Sequence, residues 1–219
     1  MSRSILVIHA HPRPDRSRAN RVLRRAAEGI EDVTVLDLYA EYPAYDIDVD
    51  AEQARLAEHD VIVFQHPVYW YAAPALVKEW IDLVLEWGWA YGPGGDALKD
   101  KITFHAVTAG GRDAAYSVTG RNRFDMRALF TPFEQTALLC GMVYLPPLVL
   151  YEANDLLDDE ALDAHASLYA RILRGLREDQ FDLAEAVQLR RLGALLEPRR
   201  VEVPASEPDP EPAATAEEG

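Results

Sequence analysis

A rhythm of short apolar runs separated by amphipathic stretches constrains this chain most. Residues 4–8, 33–36, 61–64, 102–107 and 142–150 are rich in Val, Ile and Leu and mostly apolar rather than strictly alternating. Strands covered on both faces have this pattern. The stretches between them carry helical periodicity. Residues 18–28 place Val22, Leu23, Ala26 and Ala27 on one face, and residues 51–58 form a shorter helix. Residues 74–87 open with Pro74 at a permitted first-turn position, and residues 124–140 must kink or restart at Pro132. Residues 158–177 carry a stripe from Leu162 to Leu176. Five strand–helix units predict an α/β fold: a doubly wound five-stranded parallel sheet, order 2-1-3-4-5, with helices on both faces.

A length of 219 residues suits one domain with appendages. We divide it into a core of residues 1–178, a helical extension over 179–198 and a tail over 199–219. The extension reads as one extra helix over residues 181–196. From Val201 onward, 19 residues hold four prolines, six acids and no Lys or Arg. Such a composition cannot build a core and reads as a disordered, solubilising segment, with docking as the alternative. The net charge of −15 argues against a nucleic-acid partner. The single cysteine, Cys140, precludes an internal disulfide and sits in an apolar string that reads as core. The N-terminus lacks the pattern of a signal peptide, and no apolar run is long enough to span a membrane. The expected location is cytoplasmic.

In open α/β sheets of this order, ligands bind at the carboxyl ends of the strands beside the switch point. Three loops are therefore candidates. The loop after the first strand, residues 9–20, lacks both a Walker pattern and G-x-G-x-x-G, but ends in Ser17 at a helix start, an anion site by dipole and free amides. Ser17 and Asn20 add hydrogen bonds, and His11 and Arg18 add donors or charge. Ser17 reads equally well as a plain N-cap. The loop after the third strand is Pro67-Val68-Tyr69-Trp70-Tyr71, aromatics suited to a flat ligand or to an interface. After the fourth strand comes Thr108-Ala109-Gly110-Gly111, then Tyr116. Paired glycines let the backbone approach a ligand and aim its N–H groups at it, or simply make a tight turn. No residues pattern as a metal site.

The motifs His11-Pro12, Ser17-x-x-Asn20, Gln65-His66-Pro67-x-x-Trp70-Tyr71-x-x-Pro74, Gly88-Trp89-Ala90-Tyr91-Gly92 and Thr108-x-Gly110-Gly111 resemble the NAD(P)H:quinone oxidoreductase (DT-diaphorase-like) family. The closest likeness is to its KefF-type branch, ancillary flavoproteins of glutathione-regulated potassium-efflux systems. The resemblance covers roughly residues 3–178. It implies a flavodoxin-like fold, a bound flavin (FMN, with FAD the alternative) and a homodimer with its active site at the subunit interface. It places His11, Ser17, Arg18, Ala19 and Asn20 at the flavin phosphate, Pro67, Val68, Tyr69, Trp70 and Tyr71 along the ring, and Thr108, Ala109, Gly110 and Gly111 at the ring edge. Gly110, Gly111 and Tyr116 are the catalytic candidates. The histidine that follows this tyrosine in diaphorases has no counterpart; its place falls near Arg121-Asn122. The implied reaction carries a hydride from NADPH or NADH through the flavin to a quinone. A second reading is a regulatory flavoprotein docking on a potassium–proton antiporter at the inner face of the cell membrane. A third, a flavin-free dinucleotide binder, is disfavoured by the missing glycine fingerprint.

Overall fold

The computed structural model describes residues 2–153 and 157–196. Strands β1 (Ile5–His9), β2 (Val33–Asp37), β3 (Val61–Pro67) and β4 (Ile102–Thr108) are followed by two short strands, β5 (Val143–Tyr144) and β6 (Leu148–Leu150). All pairings are parallel, in the order β2-β1-β3-β4-β5, with β6 also on β4. The expected order is met. The expected fifth strand is split, because Pro146-Pro147 can donate no ladder hydrogen bonds.

The helices are α1 (Arg18–Glu28), α2 (Leu38–Glu41), α3 (Val49–Glu58), α4 (Ala75–Val84), α5 (Met126–Leu129), α6 (Thr131–Leu139), α7 (Asp159–Arg177) and α8 (Leu183–Ala186). Ser17, Asp48 and Asp158 cap α1, α3 and α7 by accepting from the backbone N–H three residues on. The helical stretch around Pro132 breaks in two, with the proline in the first turn of α6. The four-residue α2 was not expected; Asp37 caps it.

Alternation along β1 divides the core. Ile5 and Val7 pack with Leu23 and Ala27 of α1 and with Tyr169, Ile172 and Leu173 of α7. Leu6 and Ile8 face the opposite layer, with Leu56 of α3 and Leu76, Val77, Trp80 and Val84 of α4. Each fully buried side chain of this size contributes about 1.5–3 kcal/mol. Trp80 also donates to Glu52 at 2.9 Å, and the buried Glu52 carboxylate accepts from Tyr42 at 2.7 Å and pairs with Arg55. Trp80→Ala would lose packing and orphan part of that network. Cys140 is buried and its thiol pKa is raised by burial, which suits a core residue rather than a nucleophile.

The extension is not one helix. It forms α8 and a 3-10 turn over Leu192–Leu196, separated by the bend around Gln188–Arg191. A four-residue helix is all that Asp182 nucleates, since the chain then turns to seat Ala186 and Leu192 in the core. Phe181 anchors the start: a Cβ at Gly175 of α7 would collide with its ring. The acidic tail, residues 199–219, lies outside the described residues.

Candidate functional site

The loops after β1, β3 and β4 meet at the carboxyl edge of the sheet and enclose two adjoining concavities. His11, Ser17, Arg18, Ala19, Asn20, Pro67, Val68, Tyr69, Thr108 and Gly110 line the first, of about 450 Å³. Val68, Trp70, Tyr71, Gly111 and Tyr116 line the second, of about 320 Å³. Val68 is common to both. Of the predicted site residues, only Ala109 lines neither. It is buried, and its N–H donates to Leu150 at 2.8 Å.

Ser17 organises the floor of the first cleft. Its Oγ accepts from the Asn20 backbone N–H at 3.2 Å and from Asn20 Nδ2 at 3.0 Å, which leaves its O–H free to donate. Asn20 Nδ2 also reaches Thr108 Oγ1 at 2.9 Å, tying α1 to the end of β4. Gln65 Nε2 donates to the Asn20 carbonyl at 3.0 Å and to His9 Nδ1 at 3.1 Å. Because that carbonyl only accepts, the Gln65 amide orientation is fixed and His9 is protonated at Nε2. Among the described residues, the backbone N–H groups of Arg18 and Ala19 have no partner, as expected of a helix's first turn. They present donors and the positive dipole end to the cleft.

The Arg18 side chain is already engaged, pairing with Asp159 and with the carbonyl of Leu157 at the border of the first cleft. His11 Nδ1 accepts from the Arg13 N–H at 3.0 Å, so its Nε2 carries the proton. Burial lowers its pKa, making His11 a neutral donor rather than a cation. Its ring meets Tyr69 edge-on, centroids 6.1 Å apart.

The aromatic segment is a tight two-residue turn. Tyr69 and Ala72 exchange backbone hydrogen bonds at 3.0 and 3.1 Å. Trp70 and Tyr71 hold φ of 49° and 65°, left-handed values that cost non-glycine residues about 1 kcal/mol or more each. Trp70 is 94% exposed. The three aromatics therefore do not form one platform. Tyr69 edges the first cleft, whereas Trp70 and Tyr71 rim the second.

Neither Gly110 nor Gly111 is left-handed, and only at Gly111 would a Cβ crowd a neighbour, the Tyr116 ring. A Cβ on Gly110 would point into open space, at the wall of the first cleft. Both glycine N–H groups are without partners among the described residues. The Tyr116 phenol pKa is raised, first by burial and then by Tyr71, so Tyr116 keeps its proton at neutral pH. Beneath the loops, His66 Nδ1 donates to the Pro67 carbonyl at 2.9 Å, and its Nε2 meets His105 Nδ1 at 2.9 Å. Since Pro67 can only accept, the His105 nitrogen must be the donor of the second bond.

Sequence reasoning missed Ala153, Leu157, Arg13 and Arg16, which also line the first cleft. The first two follow the split fifth strand, a loop the switch-point rule does not select. Arg121 and Asn122, where the diaphorase histidine is missing, line the second cleft. Asn122 Oδ1 is 3.4 Å from the Tyr71 hydroxyl.

A parallel 2-1-3-4-5 sheet bearing an anion-ready helix start and a donor-rich cleft at its switch point defines a flavodoxin-like protein. The chain belongs to the family described by its flavodoxin-like fold, matching it over residues 3–173. Its curated relatives include the glutathione-regulated potassium-efflux system ancillary protein KefG of Serratia proteamaculans (strain 568). That protein is 47% identical over 170 residues, 78% of this chain and 92% of the relative. The likeness to potassium-efflux ancillary proteins thus holds, with relatives named KefG rather than KefF.

Among solved structures, general stress protein 14 of Treponema denticola, in complex with FMN, superposes with a TM-score of 0.75. It is 36% identical, over 79% of this chain and 99% of that one. An NADPH-quinone reductase from P. pentosaceus gives a TM-score of 0.70 at 32% identity, over 77% and 96%. A chain described as a thermophilic tryptophan halogenase from Streptomycin violaceusniger gives 0.73 at 42%, over 75% and 95%. Names this diverse on one fold mean that chemistry must be argued from the site.

Proposed function

We propose that this protein is a flavin-dependent NAD(P)H:quinone oxidoreductase that binds FMN. One observation carries the reading. N–H donors without partners among the described residues belong to residues lining the joined clefts, Arg18, Ala19 and Gly110 at the first and Gly111 at the second. The donor set fits a phosphate at one end and an electron-rich ring edge at the other. No residue of the 39–49 segment lines the first cleft, which favours FMN over the longer FAD. The FMN-bound neighbour and the NADPH-quinone reductase support the same reading.

When bound, FMN would supply the hydride-transfer chemistry between NADPH or NADH and the quinone. The chain supplies position and field. Ser17 Oγ–H and the amides of α1 hold the phosphate. The Gly110 and Gly111 amides are aimed in advance at developing negative charge, so no dipole must reorganise during reaction. Tyr116 donates its proton toward the quinone oxygen, and Trp70 and Tyr71 shape the slot for the planar substrates in turn. A homodimer completes the rim of that slot.

The names of the curated relatives favour a second role, as a regulatory subunit docked peripherally on a potassium–proton antiporter. The two roles are separable. Purified protein should be yellow, release FMN by mass spectrometry and oxidise NADPH or NADH only when a quinone is added. Double-reciprocal plots should be parallel, as ping-pong kinetics in a shared slot require. A yellow protein without turnover would leave the regulatory role alone standing, and a colourless one after flavin addition would overturn both.

A further inference from the structure

A groove of about 600 Å³ runs between α1 and α7, away from the site just described. Arg25, Arg171 and Arg174 line it, Ala26 and Ala170 form part of its floor, and Asp163 supplies its acid. Arg3, Arg18, Arg24, Arg55, Arg112, Arg127, Arg177 and Arg190 all make ion pairs. The three groove guanidiniums make none, nor any hydrogen bond, among the described residues. Acids outnumber bases 37 to 22 in this chain, so a groove lined by three unpaired arginines and one acid is a local inversion of its charge.

We propose that the chain's own acidic C-terminal segment, residues 201–219, docks on this groove. Charge is the first argument. That segment carries six acids and no Lys or Arg, the complement of the groove. Reach is the second. The described chain ends at Leu196 in a turn packed against α7. Another 23 residues follow it, a contour of roughly 75 Å when extended. From Leu168, beside that turn, to Arg174 is only about 9 Å along the helix. A tether this short holds the segment at millimolar effective concentration, enough for weak charge pairs to be populated. Docking would give an acidic partner a cis competitor to displace from this face.

The test is amide NMR on the full-length protein. In low salt, the amides of Glu202, Glu207, Asp209 and Glu211 should be shifted from those of the isolated 201–219 peptide. The shifts should collapse onto the peptide's in the triple variant Arg25→Ser, Arg171→Ser, Arg174→Ser. They should also collapse at about 1 M salt, where the Debye length falls to roughly 3 Å. A second variant replaces the six tail acids by their amides and leaves the folded part untouched. It should move the groove amides of Ser167 and Ala170 by the reverse of the docking shift. Tail resonances that already match the free peptide would overturn the proposal. So would shifts that survive the triple variant, or that disappear on dilution, which would place the segment on a second copy.

Discussion

The ring of Tyr116 lies over Gly111 so closely that a Cβ there would stand 3.1 Å from Cε2 and 3.4 Å from the hydroxyl. The two paired glycines are thus unlike in consequence. Gly111→Ala should displace Tyr116 and impair the chemical step, with flavin occupancy largely kept. Gly110→Val should keep the fold, because its side chain meets nothing in the protein, yet fill the cleft and lower flavin affinity at least tenfold. Flavin titration and steady-state kinetics on both variants check the pair; equal flavin loss in the two would count against this assignment.

Trp70 holds a left-handed backbone with 94% of its surface exposed. Trp70→Gly should therefore raise stability by about 1 kcal/mol, since strain is relieved and little burial is lost. The same change should raise KM for quinone by removing a rim of the slot. A lower melting temperature in the variant would show that the turn is not strained.

The pair His66–His105 holds the Pro67 carbonyl beneath the aromatic loop. His66→Phe should orphan that carbonyl and the donor on His105, at about 1–3 kcal/mol for each buried group left unpaired. Urea unfolding measures the cost. Little change would mean that the pair is ordinary packing.

Acid should destabilise the protein before its carboxylates titrate. Burial lowers the pKa of His9 and of His66 to about 4, and holds that of His105 well below its ordinary value. The unfolded chain takes up these protons near pH 6.5. Between pH 6.5 and 4 it therefore binds more protons than the native state, and stability falls as pH drops through that window. Above pH 6.5 the contribution is complete, about 3 kcal/mol for each of the first two at most. A urea midpoint unchanged from pH 7 to pH 5 would contradict these buried neutral imidazoles.

Arg127 clamps the extension, donating to the Val187 and Leu189 carbonyls at 2.8 and 2.7 Å while pairing with Glu134. Arg190 adds a bond to Asp125 at 3.1 Å. Arg127→Met should free these carbonyls and speed hydrogen exchange over residues 183–196 far more than over α7. Uniform protection would refute the clamp.

Much of this was readable from the chain because fully buried strands and capped helices leave strong local signatures. Residues 18–28 and the switch-point loops were legible for that reason. Three things were not. The split at Pro146-Pro147 hid inside an apolar run that satisfies strand periodicity on both sides. The turn at Trp70-Tyr71 lacks the glycine or asparagine that announces left-handed backbone, so three aromatics read as one surface when they divide between two clefts. The engagement of Arg18 by Asp159 depends on α1 and α7 lying side by side, a contact between positions 141 residues apart that no local pattern encodes.

The break in the last strand bears on how copies of this chain can meet. Between the β5 and β6 pairings, three residues, 145–147, oppose two on β4, and two of the three are prolines. The Leu192 N–H then bonds the Pro147 carbonyl at 3.4 Å, laying the extension along the gap. A sheet border so interrupted and covered is a poor template for a stranger's strand. Fibrillar growth through this side is discouraged by construction, and copies that meet here must do so through helices and loops, where contact can be closed and symmetric.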